Sequence, residues 1–287
     1  MGGDDTAIMR NTIVILSILL LAFTGCSKKI SEELPVEVES ELETPRLLHP
    51  AFNLTEDDLS ELCSGLPESV NRNIKERSEY FLQLILDVHP WNSDLTVLVN
   101  KEQSLNREGV PEDLVSLDEY KDQLLLSRSG HRLRAATLPS LLAMVEKAEQ
   151  EDIDLIISSS YRSFEYQEGL YNRYVERDGQ EAADRYSARP GKSQHQLGTA
   201  IDFGSIDDSF ALTAAGKWVK ENAWLYGFSM SYPEGMESYT GYVWESWHFR
   251  YIGENASKLE KEFFDGIQER MLRFINNKSN LLEAALI

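Results

Sequence analysis

Ser193-Gln-His195-Gln-Leu-Gly198-Thr-Ala200-Ile-Asp202-Phe203 is the stretch from which the rest of the chain can be read. Residues 199–203 read as a strand. Side chains alternate along a strand, so Ala200 and Asp202 point one way and Ile201 and Phe203 the other. The apolar pair can enter a core. Asp202 then faces a cavity beside Ala200, whose small side chain leaves room. Gly198 permits a tight turn that swings His195 back toward Asp202. A second stretch, Trp244-Glu245-Ser-Trp-His248-Phe-Arg-Tyr251, behaves alike. Read as a strand, it places Trp247, Phe249 and Tyr251 on one side and His248 and Arg250 on the other. Glu245 precedes His248 by three residues, close enough to share a site with it.

Two histidines and an aspartate make a three-ligand set. A catalytic zinc keeps three protein ligands and leaves a fourth position for water. The metal lowers that water's pKa to about 7, and a neighbouring carboxylate can accept its proton. Glu245 suits that task. Taken singly, each histidine reads as structural or surface, and the aspartate as a turn or cap residue. Spacing alone leaves the metal and structural readings evenly balanced. The other three histidines, His49, His89 and His131, fall outside both stretches.

Outward from these stretches the pattern predicts a strand over 95–99, a helix over 138–148 and a strand over 155–159. It continues with a helix over 164–178, a helix over 212–223, one or two strands within 242–251 and a helical tail from 256. Helices and short strands mix without βαβ alternation, which places the chain in the α+β class. Upstream, 54–88 is helical. Thr55 followed by Asp58 has the form of a capping box. Leu59, Leu62 and Cys63 share a face, and Val70, Ile74, Tyr80, Phe81, Leu84 and Ile85 form the stripe of a helix over 68–88.

The chain has 287 residues and a net charge of −20. Phosphate binding needs basic patches, so the charge argues against a nucleic-acid partner. Arg10 precedes an apolar run over 13–23. A bilayer span needs about 20 such residues, and the run has the length of a signal-peptide core. The acidic residues before it make Met9 a better start than Met1. Phe23-Thr-Gly-Cys26 resembles the lipobox of bacterial lipoproteins. That resemblance implies a lipid on Cys26, a membrane anchor and an extracytoplasmic location; an uncleaved anchor helix is the alternative. The acidic segment 31–43 reads as part of a disordered tether. With Cys26 lipidated, Cys63 reads as a small buried apolar residue. The expected organisation is a signal segment over 1–26, a tether over 27–50, a helical extension over 51–92, a catalytic domain over 93–256 and a helical tail over 257–287.

His195-x-x-Gly198-x-Ala200-x-Asp202, with Ser193 in front, resembles the first motif of the LAS-type zinc peptidases, and Glu245-x-x-His248 resembles their second. The nearest likeness is to the VanY-type D-alanyl-D-alanine carboxypeptidases. Leu98-Val-Asn-Lys101, Pro111-Glu-Asp-Leu-Val115, Ser160-Tyr-Arg-Ser163 with Gln167, Ala188-Arg-Pro-Gly191 and Trp247-His-Phe-Arg-Tyr251 agree as well, so the likeness spans roughly residues 95–255. It implies the LAS-type fold, with a small central antiparallel sheet flanked by helices. It implies one zinc ion per chain on His195, Asp202 and His248, with Glu245 as general base and then proton donor. Arg162 would hold a substrate carboxylate or the oxyanion, a role for which a guanidinium fork is apt. Gln167 and Ser193 would line the substrate site. The implied substrate is the peptidoglycan stem peptide, trimmed of its terminal D-alanine.

Three positions depart from the family pattern: Ser160 where Gly is common, Ser246 where Pro is common, and Ser231 where Arg is frequent. They bear on substrate preference, since none is a ligand or the base. A serine-type carboxypeptidase would need Ser-x-x-Lys, which the sequence lacks, as it lacks HExxH. Two alternatives stay open: an L,D-carboxypeptidase acting on tetrapeptide stems, and a non-catalytic peptidoglycan-binding lipoprotein.

Overall fold

The computed structural model describes residues 46–287. The expected signal segment, Cys26 and all but the last five residues of the expected tether lie outside the described residues.

Among the described residues seven short strands form: β1 (Leu114–Ser116), β2 (Leu125–Leu126), β3 (Arg132–Arg134), β4 (Ile156–Ser159), β5 (Ala200–Phe203), β6 (Phe228–Met230) and β7 (His248–Tyr251). β1 and β3 make a separate antiparallel pair. The other five make one sheet in the order β2-β4-β5-β7-β6, antiparallel throughout except for the parallel edge pair β2–β4. The expected small sheet flanked by helices is present. Ile157, Ile201, Phe203, Phe228 and Phe249 pack their buried side chains with Leu141, Met144 and Val145 of α4 (Leu138–Glu149). Ala200, Asp202, His248 and Arg250 are also buried, on the strand positions alternate to these.

A second apolar layer comes from both ends of the described residues. α1 (Glu56–Leu62), α2 (Glu68–Glu76) and α3 (Ser78–Asp87) share one core with α9 (Glu254–Phe263) and α10 (Gln268–Ala285). Phe81 sits at its centre, with ring centroids 5.1 Å from Phe263, 6.3 Å from Phe264 and 5.9 Å from Phe274. Thr55 and Asp58 make the capping box read from the sequence. The remaining helices are α5 (Phe164–Asp178) and α6 (Gln180–Tyr186), which pack on each other, α7 (Ala214–Asn222), whose Trp218 and Val219 join the sheet core, and the single turn α8 (Glu237–Thr240). No helix among the described residues is long and apolar enough to cross a membrane.

Two expectations are corrected. Residues 95–99 do not form a strand. The carbonyls of Leu95 and Val97 each accept a 2.8 Å bond from Arg250 Nη2, so a buried side chain takes the role of a neighbouring strand. The helix over 68–88 breaks at Arg77, whose φ of −130° and ψ of 37° leave helical space. Its guanidinium lies over the rings of Tyr80 and Phe263 and pairs with Glu262, so the break itself anchors α9. Of the one or two strands expected within 242–251, one forms, β7, and Glu245 lies in the turn before it.

Candidate active site

β5 and β7 run side by side with Asp202 directly opposite His248. Opposed side chains on one sheet face lie within about 5.5 Å at Cβ, so this register alone brings two of the expected ligands together. His195 arrives from outside the sheet, in a turn of 3-10 helix over Gln194–Leu197. Ser193 Oγ caps that turn by accepting from the His195 amide at 3.3 Å. The turn closes at Gly198, whose φ of 69° is left-handed. That backbone conformation favours glycine, and a Cβ there would also displace the Leu114 side chain, whose Cδ2 it would meet at 2.8 Å.

His195, Asp202 and His248 are all buried, and each offers a ligand atom within 4.8 Å of the others. His195 Nε2 lies 3.2 Å from Asp202 Oδ2, and His248 Nδ1 lies 2.8 Å from Asp202 Oδ1. The far side of each imidazole is committed elsewhere. Ser160 O can only accept, so His195 Nδ1 donates to it at 2.7 Å and Nε2 turns a lone pair inward. His248 Nε2 meets Gln194 Oε1 at 3.3 Å, which leaves Nδ1 facing Asp202. Burial and the nearby Arg162 charge push His195 down to about 4, so it is neutral near pH 7. Burial opposes charge on Asp202, yet His195 and Arg162 hold its carboxyl well below the usual range. The His195 Nε2 lone pair and the ring edge of His248 thus meet an ionised carboxylate. A divalent cation between them removes that repulsion, and two nitrogens with one oxygen is a donor set suited to zinc. Anchored outer nitrogens are the supporting shell such ligands ordinarily have.

Glu245 reaches this centre from the turn that leads into β7. The His248 amide bonds to the Glu245 carbonyl at 3.3 Å, which folds the Glu245 carboxylate back so that its Oε2 lies 3.7 Å from His248 Nδ1. Burial, then the charge of Asp202, pushes Glu245 well above the usual carboxylate range. A carboxyl group shifted upward can both take and return a proton near neutral pH. Arg162 donates from Nη2 to Asp202 Oδ2 at 2.6 Å and from Nε to Ser159 Oγ at 2.9 Å. It is therefore tied to the centre and not to the protein surface.

These groups open onto a cavity of about 420 Å³ lined by Arg162, Gln167, Ser193, His195, Asp202, Glu245 and His248, with Tyr232, Tyr242 and Trp247 among its walls. Every candidate site residue within 46–287 therefore meets at one place. Gln167 is held through Nε2 on Ala188 O at 2.7 Å, and its buried Oε1 has no protein partner. That oxygen is an acceptor suited to a substrate N–H.

The sequence reading missed a supporting layer. Tyr232 stacks on His248 at 5.1 Å, and burial raises its hydroxyl far above its ordinary value. Ser160 Oγ accepts from the Arg132 amide and lies 3.1 Å from His131 Nδ1, so His131 buttresses the residue whose carbonyl orients His195. Gln194, Ser231 and Gln268 form a buried polar chain behind His248. The sequence signals were faint: Gln194 is a free position inside the motif, and Ser231 is one of the departures.

The family described as VanY, D-alanyl-D-alanine carboxypeptidase, matches residues 130–254. YodJ of Bacillus subtilis (strain 168), a provisionally named carboxypeptidase, is 36% identical over 173 residues, covering 58% of this chain and 63% of YodJ. A bifunctional D-Ala-D-Ala dipeptidase and D-Ala-D-Ala carboxypeptidase, VanXYC of Enterococcus gallinarum, is 31% identical over 175 residues, covering 56% of this chain and 85% of the relative. Among solved structures, the LdcB LD-carboxypeptidase superposes with TM-score 0.57 at 32% identity, over 62% of this chain and 86% of that one. A variant of the vancomycin-resistance D,D-pentapeptidase VanY in complex with Zn(II) gives TM-score 0.52 at 28% identity, over 63% and 99%. The chain thus spans under two thirds of YodJ but most of VanXYC and of both structures.

Proposed function

The chain belongs to the VanY family of D-alanyl-D-alanine carboxypeptidases, and on that premise we propose that it is a zinc-dependent D,D-carboxypeptidase that removes the terminal D-alanine from peptidoglycan stem peptides. One observation carries the reading: three buried ligand atoms within 4.8 Å of one another, with a carboxylate of raised pKa at their edge. His195 through Nε2, Asp202, and His248 through Nδ1 would hold the ion. When bound there, zinc supplies Lewis-acid activation of a water and of a carbonyl oxygen.

This chain's own residues do the rest. Glu245 takes the proton of the attacking water at a carboxylate oxygen and returns it to the departing amine of D-alanine. Its buried position favours the protonated intermediate stage. Arg162 is fixed by Asp202 and Ser159, so its remaining guanidinium edge, on the cavity wall, receives the substrate's terminal carboxylate. A planar fork of donors suits that group. Gln167 Oε1 accepts a substrate N–H. Ser193 holds the His195 turn closed and lines the same wall.

The reading is tested with defined muropeptides. The expected outcome is chelator-sensitive release of D-alanine from pentapeptide stems, restored by zinc. Release from tetrapeptide stems instead would replace this reading with the L,D-carboxypeptidase one, which the likeness to LdcB favours. Binding without release would support the non-catalytic alternative. The apolar run over 13–23 and the lipobox-like Phe23-Thr-Gly-Cys26 support a lipid anchor on Cys26 and an extracytoplasmic site of action. Loss of membrane fractionation in a Cys26→Ala variant is the corresponding test.

A further inference from the structure

We infer that Gln268, the first residue of the C-terminal helix α10, is a positioning residue for the metal centre, acting through Gln194 to fix which nitrogen of His248 carries its proton. The inference rests on the metal reading above and extends it to a helix beyond the matched residues 130–254.

The chain of bonds can be followed in one direction only. A backbone carbonyl accepts and cannot donate. Ser229 O therefore requires the amide nitrogen of Gln268, which lies 3.3 Å away as Nε2. That orientation turns Gln268 Oε1 toward Gln194, whose Nε2 donates to it at 3.1 Å. Gln194 then presents Oε1 to His248, where it also accepts from Ser231 Oγ at 2.6 Å. An oxygen at this place requires a hydrogen on His248 Nε2, and Nδ1 is left with its lone pair toward Asp202. All three polar side chains are buried: Gln268 is 1% exposed, Gln194 5% and Ser231 2%. At this burial each amide takes the orientation its neighbour dictates, since a flip would set donor against donor.

The head of α10 is itself pinned. Glu269 Oε1 accepts from Asn100 Nδ2 at 2.8 Å, and Asn100 Oδ1 accepts from the amides of Glu102 and Gln103. Gln268 is thus delivered by a helix held at its first turn. Ser231, which stands where the family often has Arg, is a member of the chain, lying 3.4 Å from Gln268 Oε1.

The test uses the full chain with zinc alone as the probe. Gln268→Met keeps length and removes both polar ends. Its zinc affinity, measured by competition with a chromophoric chelator, is expected to fall by roughly 10–100-fold, the range for loss of an outer partner of a ligating histidine. Gln268→Glu, protonated in this buried place, keeps an acceptor for Gln194 Nε2 and a donor for Ser229 O and is expected to stay within about threefold of the parent. Gln268→Ala carries the same expectation as Gln268→Met should the latter not fold. Equal zinc affinity in the parent and in a folded Gln268→Met or Gln268→Ala variant would overturn the role of Gln268 while leaving the metal reading intact. A parent that binds no zinc would overturn both. Gln268→Glu falling as far as Gln268→Met would show that the acceptor at Gln194 is not what matters, and would also overturn the inference.

Discussion

The metal face and the helical layer are buried to the same degree, yet burial does opposite work in them. Phe81, Phe263, Phe264 and Phe274 are 0–4% exposed, and removing their rings from water is what holds α3 to α9 and α10. His195, Asp202 and His248 are 1–3% exposed, and there burial costs free energy. It is tolerated because each polar atom has a partner whose orientation is settled. The apolar layer would accept many side chains of similar volume. The metal face would not, because its value lies in where lone pairs point.

That contrast sets the largest expected effect. Asp202→Ala removes the oxygen ligand and leaves Arg162 without its buried partner. Zinc content after dialysis, read by elemental analysis, should fall to background, and turnover should drop on the order of 10⁴-fold or more. Thermal unfolding of the helical layer should remain cooperative. Retained zinc in this variant would dissolve the distinction between the two regions, since the face would then behave as ordinary packing.

Glu245→Gln sharpens the same boundary from inside the site. The side chain keeps its shape and loses its ability to take a proton. Zinc affinity should stay within a few-fold, while turnover falls by about 10²–10⁴-fold, the contribution of a positioned acid–base group. A variant that keeps both zinc and full turnover would sink the assignment of Glu245 as base.

Phe81→Ala probes the other region. Loss of a fully buried ring from an aromatic cluster costs about 3–5 kcal/mol, readable as a lowered denaturation midpoint. Turnover per folded molecule should be unchanged. Should turnover fall while stability holds, the layer would have to be counted as part of the catalytic apparatus.

How much of this was legible beforehand differs between the regions for the same physical reason. The β5 and β7 segments announced themselves because alternation of Ile201 and Phe203 with Asp202, and of Phe249 with His248, is a local pattern. The ligand set followed from the motifs. The helical layer was legible as helices but not as one core, because nothing local in residues 54–88 says that Phe263 and Phe274 will complete it. The misread strand over 95–99 has the same origin: its hydrogen bonds go to Arg250, some 150 residues away. The partners behind the histidines were least legible. Ser160, Gln194, Tyr232 and Gln268 act through contacts that only the closed fold creates, and a buried glutamine looks in sequence like a surface one.

The two regions adjoin along α9, which packs on α3 and also meets β6. Glu260 on that helix is 5% exposed and has a carboxylate oxygen without a protein partner. Burial, outweighing the pull of Lys261, pushes it up to about 8 from an ordinary 4.5. The sign of the consequence follows from proton counts. Between those values the folded chain keeps the proton and the unfolded chain has released it, so stability falls as pH rises. Above about 8 both states are ionised and the dependence ends. Each pH unit in the window is worth up to about 1.4 kcal/mol. Glu260→Gln removes this contribution without touching a ligand. It should unfold at higher denaturant than the parent at pH 8, with the gap closing near pH 5, and with zinc affinity and turnover per folded molecule unchanged at both. A parent whose midpoint is no lower at pH 8 relative to the variant than at pH 5 would mean that Glu260 is solvated. A change in turnover would mean that the helical layer reaches the metal face through α9 as well as through the head of α10.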